Sequence, residues 1–305
     1  MLDVCLLGTG GMMPLPDRWL TSLLIRYNGR MLLVDCGEGT QIPLKMCGWG
    51  FKNIDAVLFT HYHADHVAGL PGFLLTLGNS GREDPLTLIG PPGLRLVVEG
   101  LLVISPQLPF DIKLLELPEN QPSEIEAGDF SIRSLPVDHW VPCLAYGFEV
   151  KRQGRFDSEK AIRLDIPVSF WKRLQKGEIL EYDGRTIKPE MVLGQPRKGI
   201  KVCYCTDSRP VEELADLIKE ADLFICEGMY GDNGDLDKAR QKKHMLFSEA
   251  AGLAKSGNAK ELWLTHFSPA LEKPEEYIYS ASSVFKNSVA GKDLMVRNIK
   301  FENEE

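Results

Sequence analysis

Three short apolar runs in the second half of the chain end at polar side chains, and helical sequence patterns separate them. The runs are KVCYCT, DLFICE and ELWLTH, and they lead to Asp207, Glu227 and His266. In layered α/β folds the loops at one end of the strands converge on the ligand site. We therefore predict a single α/β domain over residues 1–305, with its chemistry along one edge.

The rest of the chain agrees with a globular protein of this kind. Closely spaced β-rich runs come first, and 305 residues with 44% hydrophobic and 26% charged side chains suffice for a substantial core. No segment approaches the roughly 18 apolar residues that a membrane-spanning helix needs, so no membrane role is expected. The seven cysteines are scattered and odd in number, which favours a reduced, cytoplasmic protein.

The segment THYHADHVAGLPG, residues 60–72, holds three of the six histidines and one aspartate within six positions. His61 and His63 alternate at the end of an extended run, so their side chains point the same way and can bind one ion. Asp65 and His66 follow where the chain turns into a helix, and they can reach a second ion. Four ionisable groups packed together without a cation would be electrostatically costly, so the pattern predicts a two-metal site.

The remaining ligands must come from distant segments. His139, His244 and His266 each lie at the end of an apolar run or in a polar turn, and Asp207 has the same placement. Taken alone, His244 would be interpreted as a structural histidine, and an acid at a strand end such as Glu227 can equally cap a helix. Imidazole and carboxylate ligands suit Zn²⁺, with Mn²⁺ or Fe²⁺ as alternatives.

One segment departs from the composition of the rest of the chain. Residues 151–176 contain eight Lys and Arg against three acids, whereas the whole chain has a formal net charge of −8. The segment is either a solvated helical face or a local phosphate-binding patch, with Phe170 and Trp171 nearby to stack or pack. The candidate substrate contacts in the second case are Lys151, Arg152, Arg155, Lys172 and Arg173.

Together these residues resemble the metallo-β-lactamase superfamily, and within it the ribonuclease Z family of tRNA 3′-processing endonucleases. The shared motifs, in chain order, are LGTGGMMPLPDR, DCGEGTQ, HxHxDH with HVAGLPGFL, GPPG and LTHFS. The resemblance implies an αββα sandwich, two mixed β-sheets flanked by helices, with two metals on one edge. It also implies a homodimer in which the basic segment of one subunit is an arm that serves the active site of the other.

The resemblance further implies a role for each site residue. The implied ligands of the two divalent metal ions form two sets and a bridge: His61, His63 and His139; Asp65, His66 and His266; and Asp207. Asp65 would also orient or deprotonate the attacking water. His244 would protonate the leaving 3′-oxygen, and Glu227 would orient His244.

The activity implied is endonucleolytic removal of the 3′ trailer from precursor tRNA, which leaves a 3′-hydroxyl. Residues beside the ligands depart from the family pattern, since Cys226-Glu227-Gly228-Met229 replaces His-Glu-Ala-Thr and Ala270-Leu271 replaces Arg-Tyr. Two alternatives therefore stay open at this stage. One is a metal-dependent hydrolase of small phosphodiesters or another ester, and the other is a non-catalytic RNA-binding module.

Overall fold

The computed structural model of the protein describes residues 1–105 and 107–302. The strands in these residues are β1 (Leu2–Gly8), β2 (Ser22–Tyr27), β3 (Arg30–Val34), β4 (Ile54–Leu58), β5 (Leu86–Gly90), β6 (Ile112–Glu116), β7 (Ser123–Ala127), β8 (Phe130–Pro136), β9 (Leu144–Arg152), β10 (Leu180–Tyr182), β11 (Arg185–Ile187), β12 (Arg197–Cys205), β13 (Leu223–Glu227), β14 (Leu262–Thr265), β15 (Ser288–Ala290) and β16 (Met295–Ile299).

The α-helices of the same residues are α1 (Gln41–Cys47), α2 (Ala64–Val67), α3 (Leu70–Asn79), α4 (Leu94–Leu102), α5 (Ser158–Arg163), α6 (Val168–Gln175), α7 (Glu213–Ile218), α8 (Leu236–Lys242), α9 (Phe247–Ser256) and α10 (Ile278–Ser282). Short 3₁₀ helices span Pro189–Met191, Asn233–Asp235 and Pro274–Tyr277. Every helix in the described part of the chain is too short or too polar to cross a membrane.

The chain divides into two compact units. The first contains Met1–Glu149 and Lys201–Lys300, and the second contains Val150–Ile200 with the chain end from Phe301. Two seven-stranded sheets have the strand orders β16-β1-β2-β3-β4-β5-β6 and β15-β14-β13-β12-β9-β8-β7. Both sheets are mixed. In the first sheet β16, β1, β2 and β3 pair antiparallel, and β3, β4, β5 and β6 pair parallel. In the second sheet β7, β8 and β9 pair antiparallel, and β12, β13, β14 and β15 pair parallel.

Both faces of the central strands in the first unit are apolar and buried. In β1, Cys5 and Leu7 pack with residues of α1 to α4, while Leu6 between them is equally buried on the opposite face. The second sheet packs one face against α7, α9 and α10 in the same way. Tyr146 on β9 donates a hydrogen bond to the carbonyl oxygen of Phe59, which follows β4, at 2.6 Å. The two sheets therefore face each other with helices outside, which confirms the predicted αββα sandwich.

Two glycines show why the DCGEGTQ and GLPG motifs have the residues they have. A Cβ atom on Gly37 would lie 2.0 Å from the carbonyl oxygen of Asp65, and one on Gly69 would lie 1.9 Å from that of Gly37. Backbone hydrogen bonds join the same loops, from Cys36 to the carbonyl of His66 at 2.7 Å and from Gly69 to that of Cys36 at 3.0 Å. The loop after β3 and the histidine loop after β4 thus meet backbone to backbone, which fixes the start of the histidine site.

The second unit has a small apolar core of its own. Its fully or nearly buried side chains are Ala161, Ile166, Leu174, Leu180, Ile187 and Val192. Phe170 and Trp171 pack against this core, and the indole of Trp171 donates a hydrogen bond to the carbonyl of Ile166 at 3.1 Å. These two aromatic side chains therefore stabilise the unit by packing.

Candidate metal centre

The loops that follow four strands of the first unit bring the predicted ligands to one edge. The histidine loop follows β4 of the first sheet, whereas His139, Asp207 and His266 follow β8, β12 and β14 of the second. The polar residues at the ends of these strands thus meet at one edge of the fold, as the sequence predicts. Ligand atoms of all seven predicted metal-binding residues fall into groups whose members lie within 4.8 Å of one another.

The first cluster joins His61, His63 and His139 to one carboxylate oxygen of Asp207. Nδ1 of His63 lies 2.9 Å from Nε2 of His61 and 3.3 Å from Nε2 of His139. Oδ1 of Asp207 lies 3.8 Å from Nε2 of His61 and 3.9 Å from Nε2 of His139. Three ring nitrogens and one carboxylate oxygen therefore converge on a common point.

The second cluster joins Asp65, His66 and His266 to the other oxygen of the same aspartate. Nε2 of His66 lies 3.2 Å from Nε2 of His266, and Oδ2 of Asp65 lies 3.5 and 3.4 Å from these two nitrogens. Oδ2 of Asp207 lies 3.2 and 3.3 Å from the same pair. One carboxylate thus faces both clusters with different oxygens, which is the arrangement that a bridging ligand needs.

The electrostatics of the clusters suit divalent cations. Burial and the charge of His66 lower the pKa of His61, and burial also lowers that of His139, so both rings are neutral and offer lone pairs. Burial opposes ionisation of Asp207, but the charges of His266 and His66 outweigh it and hold its pKa well below the usual range. Nδ1 of His266 is buried without a hydrogen-bond partner among the described residues. Histidine nitrogens and ionised carboxylates that converge in this way are a fitting donor set for such ions.

Asp35 is a site residue that the sequence did not single out. It is fully buried, and its carboxylate accepts hydrogen bonds from Nδ1 of His66 at 2.9 Å and from the backbone of Thr60 at 2.8 Å. Because Nδ1 of His66 is engaged in this way, its Nε2 is left to face the second cluster. The signal was present in the acid that ends the apolar run MLLVD, but its partner lies 31 residues away.

The GTGG loop supplies a second contact that the sequence did not predict. The backbone amide of Met12, whose φ is 68°, donates to Oδ2 of Asp65 at 2.7 Å. The amide of Gly11 donates to the carbonyl of Phe267 at 2.9 Å, and a Cβ atom on Gly11 would lie 2.8 Å from the ring of His266. The loop therefore packs directly on the second cluster and orients Asp65.

His244 lies beside the clusters and is held by Glu227. Its Nδ1 is 3.1 Å from Oε2 of Glu227 and 3.8 Å from Oδ1 of Asp207. Glu227 is fully buried, and it also accepts hydrogen bonds from the backbone amides of Ser208 at 2.6 Å and Met245 at 3.1 Å. Burial alone would lower the pKa of His244, but the charge and hydrogen bond of Glu227 raise it to about 9. Glu227 therefore favours the protonated form of the ring at neutral pH.

An ion pair fixes the turn that carries His244. Nη1 of Arg209 donates to Oε2 of Glu249 at 2.9 Å and also to the carbonyl of His244. The second guanidinium nitrogen donates to the other oxygen of Glu249, so the pair is bidentate. Glu249 also accepts from the amide of Leu246 at 2.9 Å. Arg209 thus links the loop after β12, which carries Asp207, to the turn before α9.

The five predicted substrate contacts all lie in the second unit, where Lys172 is exposed on α6 and Lys151 and Arg155 are exposed at or near the end of β9. Arg173 is paired with Glu178 at 2.7 Å. Arg152 donates to the carbonyl of Glu302 at 2.7 Å. Residues 150–200 contain twelve Lys and Arg against seven Asp and Glu, so the basic character extends beyond the predicted segment.

An αββα sandwich with histidines and aspartates clustered at its edge defines a metal-dependent hydrolase of the metallo-β-lactamase fold. The short form of human tRNase Z has a similar structure, with a TM-score of 0.70 and 25% identity over 98% of this chain and 100% of that one. The metallo-beta-lactamase fold protein YhfI from Bacillus subtilis has a TM-score of 0.70 at 23% identity, over 98% of this chain and 100% of that one. The family model described as Anti-Pycsar protein Apyc1 matches residues 2–95.

Relatives of higher similarity narrow this class. The chain is 54% identical over 302 residues to ribonuclease Z of Clostridium kluyveri, which covers 99% of this chain and 100% of the relative. It is 53% identical over 308 residues to ribonuclease Z of Clostridium acetobutylicum, with 99% and 100% covered. The chain belongs to the ribonuclease Z family and is a metal-dependent endoribonuclease, which confirms the resemblance seen in the motifs.

Proposed function

We propose that the protein hydrolyses one phosphodiester bond of precursor tRNA, removes the 3′ trailer and leaves a 3′-hydroxyl. The observation that carries this proposal is the placement of His244, held by Glu227, beside two ligand clusters that share one carboxylate, Asp207. The names of the relatives supply the substrate class. Membership of the ribonuclease Z family favours this activity over hydrolysis of small phosphodiesters or other esters and over non-catalytic RNA binding.

Two divalent metal ions, most simply Zn²⁺, are the proposed cofactors. One would be held by His61, His63 and His139, the other by Asp65, His66 and His266, and Asp207 would bridge them. When bound, such ions neutralise charge on the phosphate and lower the pKa of a water molecule. The same imidazole and carboxylate donors also accept Mn²⁺ or Fe²⁺.

The side chains of this protein supply the proton transfers that the reaction needs. Asp65, oriented by the amide of Met12, would orient the attacking water and accept its proton. A leaving 3′-alkoxide at neutral pH needs a proton, and His244 would give one from its protonated ring. Glu227 would keep the ring charged and aimed before the transfer, because its carboxylate is buried and fixed by two backbone amides.

The second unit is the proposed RNA-binding arm of a single metallo-β-lactamase domain, with the predicted segment 151–176 as its core. It is inserted in sequence between β9 and β12, which are neighbours in the second sheet. Its excess of Lys and Arg in an acidic chain supports contacts with phosphates. Lys151, Arg152, Arg155, Lys172 and Arg173 remain the proposed contacts, and the seven unpaired cysteines support a cytoplasmic location.

A homodimer is the proposed assembly. Helices α1, α3 and α4 pack side by side on the first sheet and present exposed apolar side chains: Ile42, Met46, Leu75, Leu96, and beyond the end of α4 Val103 and Ile104. Exposed apolar side chains on neighbouring helices are candidates for an interaction surface. Light scattering on the wild type and on Leu96→Glu/Val103→Glu checks the assignment, because the charged variant should be monomeric.

The activity is tested with two substrates. Metal-loaded protein should cut a trailer-bearing precursor tRNA at a single position and should also cleave bis(p-nitrophenyl) phosphate. End mapping should show a 3′-hydroxyl on the tRNA product. Cleavage of the small ester alone, with the precursor left intact, would refute the tRNA assignment and favour a small-phosphodiester hydrolase. Binding of precursor without cleavage of either substrate would favour the RNA-binding alternative.

A further inference from the structure

Trp140 is a large aromatic side chain that stands in solvent at the edge of the metal centre. It directly follows His139 of the first cluster, and 65% of its surface is exposed. Large aromatic side chains are usually buried when they serve the fold, because they remove much apolar area from water. The core of the first unit therefore gives no reason for a tryptophan at this position.

The indole is nevertheless held in place. Nζ of Lys243 lies 4.8 Å from the centre of the ring, within the range of a cation–π contact. The same ammonium donates to Oδ1 of Asp138 at 2.6 Å and to the carbonyl of His139 at 3.2 Å. Nδ1 of His139 lies 3.3 Å from the carbonyl of Lys243. Lys243 thus ties the loop after β8 to the turn that carries His244, and it fixes the indole between the two.

We propose that Trp140 stacks on the base of the nucleotide that carries the leaving 3′-oxygen, and that Lys243 supports the indole in this position. This inference rests on the proposed function, which makes RNA the substrate and His244 the donor to the leaving oxygen. Trp140 is one residue from His139, and Lys243 is one residue from His244, so the platform borders the site of cleavage on the side of the proton donor. Aromatic platforms of this kind bind any base, because every base has a π face.

The chemistry favours RNA at this place over other occupants. The Lys243 ammonium is paired with Asp138, so it holds the indole in place and leaves the exposed part of the ring open to a base. A stacked base would also orient the sugar whose 3′-oxygen leaves, so the contact should contribute to turnover as well as to binding. Small phosphodiesters such as bis(p-nitrophenyl) phosphate have no nucleoside for the platform to orient.

The test compares Trp140→Ala with Trp140→Phe on both substrates. Loss of one stacked base should lower kcat/KM for precursor tRNA by roughly 5- to 150-fold in Trp140→Ala. Trp140→Phe should retain most of the activity because it keeps an aromatic ring. Both variants should cleave bis(p-nitrophenyl) phosphate at the wild-type rate and bind the same amount of metal. Tyr279→Ala removes an aromatic side chain of similar exposure, 78%, from α10 and serves as the matched control.

A direct readout uses product tRNA whose last nucleotide is 2-aminopurine, which cannot be cut again. Binding to wild-type holoenzyme should quench the fluorescence of the base, and Trp140→Ala should abolish most of the quenching. Equal quenching by both proteins, or unchanged cleavage of precursor by Trp140→Ala, would overturn the inference. Equal loss of activity on both substrates would overturn it as well, since the residue would then support the fold. If wild-type protein fails to cut precursor tRNA, the proposed function itself fails, whatever Trp140 does.

Discussion

At the scale of single residues, the most consequential contact is that between Glu227 and His244. A histidine this deeply enclosed would ordinarily lose its proton, but the buried carboxylate of Glu227 raises the pKa of the ring to about 9. Two backbone amides bind the same carboxylate, so it is fixed before any substrate arrives. The imidazole of His244 is therefore held in a defined position, and Glu227 favours its protonated form.

His244→Ala tests this role through the leaving group. The variant should lose roughly 10²–10⁴-fold in kcat on precursor tRNA, because the 3′-alkoxide then leaves without a positioned acid. On bis(p-nitrophenyl) phosphate it should lose little, since nitrophenolate leaves without a proton. Metal content, measured on the purified protein, should match the wild type. A parallel loss of metal and of both activities would show that His244 is a ligand instead of an acid.

Asp35→Asn tests the carboxylate behind His66. The substitution keeps the shape of the side chain but removes the charge that accepts the Nδ1 hydrogen of His66. Metal affinity should fall roughly 10- to 100-fold, as is usual when such a supporting carboxylate is lost. The measurement is a metal titration with a competing chelator. Asp3→Asn is the matched control, because Asp3 is also buried but pairs with Arg26 at the other end of β1. Equal affinities in both variants would contradict the assignment.

The sequence predicted these residues unequally, for a physical reason. The four residues between His61 and His66 could be recognised from the sequence alone, because four ionisable groups in six positions have few structural explanations. Asp35 ends an apolar run, but its partner, like that of the Met12 amide, is brought close only by the tertiary fold, so neither contact was predicted. A backbone amide has no signature in the sequence at all.

At the scale of elements, the turn between α8 and α9 determines where His244 points. The bidentate pair of Arg209 with Glu249 connects this turn to the loop after β12, and Arg209 also binds the carbonyl of His244 itself. Both side chains are largely shielded from solvent, at 15% and 21% exposure. The ion pair thereby fixes His244 relative to the loop that carries Asp207.

Arg209→Ala should lower kcat on precursor tRNA more than it raises KM, because the substitution frees the turn that carries His244 and removes no proposed RNA contact. It should also reduce the free energy of unfolding by roughly 1.5–3 kcal/mol, as expected for a charged hydrogen-bonded pair. Arg209→Lys should rescue only part of both effects, since lysine cannot bind bidentately. Arg26→Ala, which breaks an ion pair remote from the site, should affect stability alone. Chemical denaturation must first show that Arg209→Ala is fully folded under the assay conditions. A wild-type kcat in that folded variant would refute the positioning role.

The elements themselves were largely predictable. The apolar runs before Asp207, Glu227 and His266 are β12, β13 and β14, and the helical patterns between them are α7 and α9. The division of the strands between two facing sheets could not be predicted from periodicity, because central strands such as β1 and β13 are buried along their whole length. It came from the resemblance, whose selective motifs prove to be loop contacts such as that of Gly37 with Asp65.

At the scale of the whole molecule, the metal centre joins the two sheets. The predicted ligands in the loop after β4 follow a strand of the first sheet, and those after β8, β12 and β14 follow strands of the second. Bound metal should therefore stabilise the fold as well as the site. With metal at 100-fold its Kd the gain is roughly 2.7 kcal/mol for each site, so removal of one ion by a chelator should lower Tm by about 4 °C and removal of two by about 8 °C. Calorimetry with and without chelator checks this, and re-addition of metal should restore the transition. An unchanged Tm in protein shown to be metal-free would contradict it.

The proposed arm and the proposed homodimer together predict complementation between two inactive variants. One variant lacks Gln153–Pro196, the stretch between β9 and β12, and joins these strands by a short glycine-rich turn. It should cleave bis(p-nitrophenyl) phosphate at the wild-type rate but should no longer cleave precursor tRNA. The other variant is His244→Ala, which keeps the arm and lacks the proposed acid. If the arm of one subunit serves the site of the other, mixed dimers pair an intact arm with an intact site, and precursor cleavage should return. If each arm serves its own site, no subunit in the mixture has both parts and the precursor should stay uncut.

Light scattering must show that the armless variant still dimerises, and loss of its activity on the small ester would mean that the excised residues support the fold.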